Sequence, residues 1–168
     1  MDIVVDTREK QKAIRGILAE FAKEDVRTVS SKLYVGDYMS LDNPRLVIDR
    51  KQNLTELCGN VCQQHVRFRA ELARAQEHGI RLLILCEHGR GIRDLPDVAF
   101  WRNPRGIKRV RQNGAWVNLA TRAMQGETLY KALVTMEKKY GCRFLFCEKS
   151  ETGRVILDIL SGRRKTDG

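Results

Sequence analysis

The residues in this sequence best suited to chemistry lie between Tyr34 and Lys51, YVGDYMSLDNPRLVIDRK, where Asp37 follows a glycine and an apolar run ends on Asp49-Arg50-Lys51. If Leu46 to Lys51 is a strand, its side chains alternate faces. Asp49 and Lys51 then share one face, with Ile48 and Arg50 on the other. A carboxylate beside a lysine, joined by a second carboxylate from the preceding strand, can hold a hard divalent cation and orient a water. Metal-assisted phosphodiester hydrolysis needs that set. An Asp and a Lys two apart on a strand more often form a solvated ion pair, so the surroundings decide between the readings.

Those surroundings are elements able to position the set. Ile3-Val4-Val5 predicts a buried strand ending at Asp6-Thr7-Arg8-Glu9, and Lys10 to Glu24 carries Ile14, Ile17, Leu18 and Phe21 at helical spacing. Val26 to Val29, Lys32 to Leu41 and Leu46 to Lys51 are rich in β-branched and aromatic residues and read as an antiparallel meander turning at Asp42-Asn43-Pro44-Arg45. Leu57, Val61, Phe68 and Leu72 form one apolar stripe, predicting a single helix from Leu54 to His78. Arg81 to Cys86, RLLILC, is apolar throughout, as a central strand buried on both faces would be, so a βαβ unit follows.

Further along, a helix is marked by Leu129, Leu133, Met136 and Tyr140 with Thr128 as its cap, a strand by Arg143 to Cys147, and a last helix by Glu151 to Leu160. Residues 1–161 read as one domain and 162–168 as a polar tail. There is no repeat and no low-complexity linker.

A formal charge of +10, from 31 Lys and Arg against 21 Asp and Glu, favours a polyanionic partner, most simply DNA or RNA. No apolar run reaches membrane-spanning length, and the first residues lack the pattern of a signal peptide, so the expectation is a cytoplasmic protein. Cys58, Cys62, Cys86, Cys142 and Cys147 sit mostly in apolar runs, as reduced thiols do. Cys58-x3-Cys62-x2-His65 has the look of a ligand set, but the cysteines fall beside Leu57 and Val61 on a predicted helix. Core packing is favoured. No Ser-His-Asp order, phosphate-cradling Gly loop or dinucleotide fingerprint is present.

Taken in order, VVDTRE, GDY at Asp37, VIDRK ending at Lys51 and the long helical stretch before RLLILCE resemble the nuclease domain of the XPF-type structure-specific endonucleases. These belong to the PD-(D/E)xK restriction-like nucleases, with the pattern VDxRE, then GDY or GDF, then VERK. Several linked motifs over most of a chain are far more specific than any one of them. GETLYKALVTMEKKYGCRFLFCEK also resembles the closing helix and strand of small stand-alone members from phages and bacteria.

The resemblance implies an α/β fold with a restriction-endonuclease-like mixed central sheet flanked by helices. It implies a Mg²⁺ or Mn²⁺ site on Asp37 and Asp49, with Glu9 and Asp6 contributing ligands or water-mediated contacts, and Lys51 near the attacking water. Arg8 and Arg50 match positions that hold phosphate or brace the acidic cluster. Clustered carboxylates repel one another when ionised, which is the physical reason to gather them around a cation; their alternative is a structural salt-bridge network.

Two departures stand out. Asp49 occupies a position where the family has Glu, and the family's further acidic residue would fall on Thr55, with Glu56 one place later. Eukaryotic and archaeal members also carry a tandem helix-hairpin-helix domain that these 168 residues do not contain, so substrate shape is not carried over. Relatives dimerise, so a homodimer or a separate DNA-targeting partner is the expected company.

Between Trp101 and Trp116, Arg102, Arg105, Lys108, Arg109 and Arg111 precede the turn signal Asn113-Gly114, a basic loop or hairpin suited to phosphate and to base stacking. Arg67 and Arg69 on the long helical stretch are weaker DNA contacts. The resulting expectation is a metal-dependent DNA endonuclease acting in repair, recombination or phage DNA processing, at flap, branched or single-strand/duplex junctions. The rivals are a nuclease-inactive scaffolding subunit and an RNA-directed nuclease.

Overall fold

In a computed structural model that describes residues 1–89 and 91–164, every long apolar run of the sequence lies in one mixed six-stranded sheet or in a helix against it. The strands are β1 (Asp2–Val5), β2 (Arg27–Ser30), β3 (Tyr38–Ser40), β4 (Asn43–Lys51), β5 (Arg81–Glu87) and β8 (Arg143–Cys147), in the order β2-β1-β3-β4-β5-β8. A separate ribbon pairs β6 (Ile107–Gln112) with β7 (Ala115–Ala120). The helices are α1 (Arg15–Lys23), α2 (Leu54–Val61), α3 (His65–Glu77), α4 (Gly126–Tyr140) and α5 (Thr152–Leu160). β4, β5 and β8 run parallel, and β3 is antiparallel to both β1 and β4.

The alternation of each strand sorts its side chains into two cores. Val47, Leu82, Ile84, Cys86, Phe144 and Phe146 face α2, α3 and α4, where they meet Leu54, Leu57, Phe68, Leu72, Leu129 and Leu133. Ile3, Val5, Tyr38, Ile48, Leu83 and Leu85 face α1 and α5, against Ile17, Phe21, Val155, Ile156 and Ile159. Leu82 to Cys86 of β5 is apolar throughout because helices cover both faces of the strand. The parallel β4-to-β5 connection through α2 and α3 is the βαβ unit expected from the sequence.

Four expectations need correction. β2 is not part of the meander: it pairs parallel with β1 at the sheet edge, reached through α1, and all four of its residues are exposed. Of Lys32 to Leu41 only Tyr38–Ser40 is strand, because Gly36 turns the chain at φ +66° just before it. The single helix from Leu54 to His78 is two helices. The break at Cys62, whose ψ is −84°, is satisfied by Gln64 N donating to Gly59 O at 3.0 Å and by the His65 ring bonding Cys62 O at 2.8 Å. Finally α4 starts at Gly126, ahead of the expected Thr128 cap. A Cβ at position 126 would run into the Val98 and Trp101 backbone, so only glycine lets the helix approach so closely.

All five cysteines are free, and burial pushes the Cys58 thiol up to about 12, aided by its neighbour Cys62. In the tail, Arg163 pairs with Glu24 and Asp158. Residues 165–168 lie outside the described residues. Among the described residues no helix is long and apolar enough to cross a membrane.

Candidate active site

β1, β3 and β4 bring the three motifs into one row. Asp37 N donates to Ile48 O at 2.8 Å, while Asp37 O accepts from Asp6 N at 2.8 Å, so the ladder continues past the strand ends and fixes Asp37 between β1 and β4. Gly36 sets that register. It is buried, and a Cβ there would stand 2.6 Å from Val47 Cγ1 and 3.0 Å from Ile48 O. Asp37 is therefore placed by backbone bonds and by the residue before it.

On the face of β4 toward α3, Asp49 and Lys51 lie side by side, as the alternation predicts. Lys51 Nζ donates to Asp49 Oδ1 at 2.8 Å and rests 5.6 Å above the Phe68 ring. It also stands 2.7 Å from Asp49 Oδ2, so the ammonium sits against both oxygens of the buried carboxylate. Burial alone would lower the Lys51 pKa, but the Asp49 carboxylate outweighs it, and the ammonium is held more firmly protonated than a free lysine.

Asp37 feels the opposite balance. Desolvation, then the charges of Asp49 and Glu9, hold its carboxyl well above the usual range, against the Arg50 backbone N–H that donates to Oδ2 at 2.7 Å. A carboxyl whose charge is disfavoured by burial and by two neighbouring carboxylates, beside an aspartate that a single lysine neutralises, is a donor pair open to further positive charge. Asp37 and Asp49 thus fit a hard divalent cation. Among the described residues no set of three Asp, Glu, His or Cys side chains could enclose a metal alone.

The opposite face of β4 carries a buried ion cluster. Arg50, 2% exposed, donates from Nε to Glu9 Oε2 at 2.8 Å and from Nη1 to Glu87 Oε1 at 3.2 Å. Glu9 Oε2 also accepts from the Tyr38 hydroxyl at 2.9 Å, and Glu87 Oε1 from Thr152 Oγ1 at 3.0 Å. Of the two roles considered for Arg50, bracing the acidic cluster is the one this burial favours. Glu9 is tied into the same brace.

Asp6 is also saturated. Oδ1 accepts from Arg8 N at 2.7 Å and Nε at 2.6 Å, and Oδ2 from Arg8 Nη2 at 3.0 Å and Leu33 N at 2.6 Å. Burial would raise its carboxyl, but these bonds outweigh it and hold it below the ordinary carboxylate range. A carboxylate whose folded pKa is depressed contributes stability that is present above its unfolded value and lost as pH falls through the folded one. From about pH 4 downward, Asp6→Asn therefore loses less of its own stability to acid than the wild type does. Urea titrations at a series of pH values check this; parallel curves would count against the assignment.

The remaining expected residues are spread over the surface. Glu56 accepts from Gln52 N at 2.7 Å and donates its own N–H to Asn53, closing the first turn of α2. Arg67 and Arg69 are exposed on α3. In the ribbon, Arg109, Arg111 and Trp116 share one face and Lys108 lies on the other. Arg109 stacks 5.2 Å from the Trp116 ring, which is 59% exposed, whereas Trp101 packs against the core.

Two acidic residues were missed in the sequence. Glu71 on α3 accepts from Gly36 N at 3.0 Å and adds its charge beside Lys51 and Arg8. Its only signal was a place three residues past Phe68, on the helix face toward β4. Glu87, at the end of the apolar β5 run, was legible only as the residue next to RLLILC.

A model of the ERCC4 domain matches residues 5–159. The chain belongs to the ERCC4 domain family. The fold of this ERCC4 domain is similar to that of XPF from Aeropyrum pernix, with 20% identity and a TM-score of 0.65 over 98% of this chain and 66% of that one. It is also similar to XPF from Aeropyrum pernix in complex with DNA, with 17% identity and a TM-score of 0.59 over 99% of this chain and 68% of that one. The chain spans about two thirds of the length of these structures. No curated protein matches it. The ERCC4 domain here has the mixed sheet and flanking helices anticipated from its motifs.

Proposed function

We propose that this ERCC4 domain is a Mg²⁺- or Mn²⁺-dependent DNA endonuclease that hydrolyses phosphodiester bonds at the Asp37–Asp49–Lys51 face. The observation that carries the reading is the buried Asp49 carboxylate, paired with Lys51 through both oxygens, set beside an Asp37 carboxyl that resists ionisation next to it. Asp37 and Asp49 would hold the cation, with Glu9 reaching it through water. A bound divalent metal supplies Lewis-acid chemistry, lowering the pKa of a coordinated water and neutralising charge on phosphate.

The protein's own residues do the rest. Lys51 holds Asp49 in place and sets a positive charge where the pentavalent phosphate builds up negative charge. Asp6, through Arg8 and Leu33, fixes the loop leading to Asp37. Arg50 ties β4 to Glu9 and Glu87, keeping the strand end rigid under the site. Arg8, half-exposed, together with Arg67, Arg105, Lys108, Arg109 and Arg111, would engage DNA phosphates.

Labelled single-stranded, duplex, flap and branched DNA, with matching RNA strands, incubated with Mg²⁺, Mn²⁺ or chelator, tests the reading. Metal-dependent internal cuts in DNA are expected, lost in chelator. Binding without cutting in either metal overturns it in favour of a scaffolding subunit, and cutting confined to RNA overturns the choice of substrate.

A further inference from the structure

An open groove of 670 Å³ begins at Gln52, the residue directly after Lys51, and runs along the outer side of α2 to Arg105. Its lining is unlike the rest of the surface. In a chain carrying a charge of +10, this groove, which starts one residue past the candidate catalytic lysine, is lined by the amides of Gln52, Gln63 and Gln64, the last accepting from Asn60 Nδ2 at 3.5 Å, with one cation, Arg105, and one carboxylate, Glu56. A channel that tracks only the sugar-phosphate backbone is lined with positive charge. Amides offer a donor and an acceptor in one plane, which is what the edge of a nucleobase pairs with.

The groove is built to keep that shape. Arg105 N donates to Asn103 Oδ1 at 3.0 Å, and the buried Asn103 side chain reaches Met124 O at 2.8 Å and Cys58 Sγ at 3.7 Å, locking the Arg105 wall onto α2. Gly59 leaves the helix side bare; a Cβ there would meet only Gln63 Oε1, at 3.7 Å. Gln52 and Gln63 direct no side-chain hydrogen bond to another described residue. Asn53 and Glu56, also on the groove, are occupied by the α2 cap.

We infer that this groove binds unpaired nucleotides adjoining the cut through their base edges, giving the nuclease a base preference in addition to any preference for substrate shape. The inference rests on the nuclease reading for its place beside the cut, but binding tests it separately. An unpaired base frees its Watson–Crick edge, which a duplex keeps paired, so the ligand proposed is an unpaired strand. Arg105 would take a phosphate of the same strand.

The test is fluorescence anisotropy of short labelled oligo-dA, oligo-dC and oligo-dT in chelator, followed by cut-site mapping on flaps with randomised unpaired nucleotides. The wild type is expected to separate the best from the worst base about fivefold or more, the lower end of what one bidentate contact discriminates. Gln63→Ala combined with Gln64→Ala, at positions whose side chains cap no helix, should flatten that ratio with the circular dichroism spectrum unchanged. Arg105→Ala should weaken all bases alike and reduce the salt dependence. Equal binding of all bases, no binding of single strands, or a preference that survives the double variant would overturn the inference. A protein that discriminates bases but never cuts leaves the groove standing and removes the nuclease; one that cuts without discrimination does the reverse.

Discussion

Asp49→Asn is expected to yield a folded protein that binds DNA and no longer cuts it. Asparagine keeps the shape and leaves Oδ1 for Lys51, whose ammonium also retains the Phe68 ring and the charges of Asp37 and Glu71. What is lost is the negative charge of a donor pair that fits a hard cation. Removing one electrostatic stabiliser from an active site commonly costs on the order of 10²–10³ in rate, and losing a metal-holding carboxylate should cost at least that. Single-turnover cleavage of the best substrate measures the loss, and anisotropy in chelator measures binding. Activity near wild type in the variant would remove Asp49 from the site.

Arg50→Ala has the larger effect on stability. The guanidinium is buried and holds two carboxylates, Glu9 and Glu87, each with a second hydroxyl partner in Tyr38 or Thr152. Deleting one member of a buried ion cluster leaves uncompensated charge and costs about 3–5 kcal/mol. Urea unfolding should show that loss, and Glu9→Gln, which keeps a hydrogen-bond acceptor, should cost less. An Arg50→Ala curve superimposable on the wild type would show that the cluster is not holding the strand.

How much of this was legible in the sequence depends on the range of the forces involved. The Asp49/Lys51 alternation, the apolar β5 run and the Asn113-Gly114 turn are local, and each appears where the pattern placed it. The break between α2 and α3 carries no proline, and the apolar stripe runs through it unbroken. Its stabilising bonds, from Gln64 to Gly59 and from His65 to Cys62, leave no mark on periodicity. β2 looked like one more strand of a meander because its composition suits a strand; its parallel pairing is set by the α1 crossover. Glu71 and Glu87 are ordinary acidic residues until folding brings Glu71 to Gly36 across 35 positions of the chain and Glu87 to Arg50 across 37.

The Arg50 cluster also orders events during synthesis. The motif residues, Asp6 through Lys51, emerge from the ribosome ahead of Glu87, and the Thr152 hydroxyl follows later still. A nascent chain therefore carries its reactive carboxylates well before β4 is braced. The brace on β4 is complete only when α5 has docked, so a chain cut short before Thr152 would hold Asp6 through Lys51 yet lack the hydroxyl that pins Glu87 beside Arg50.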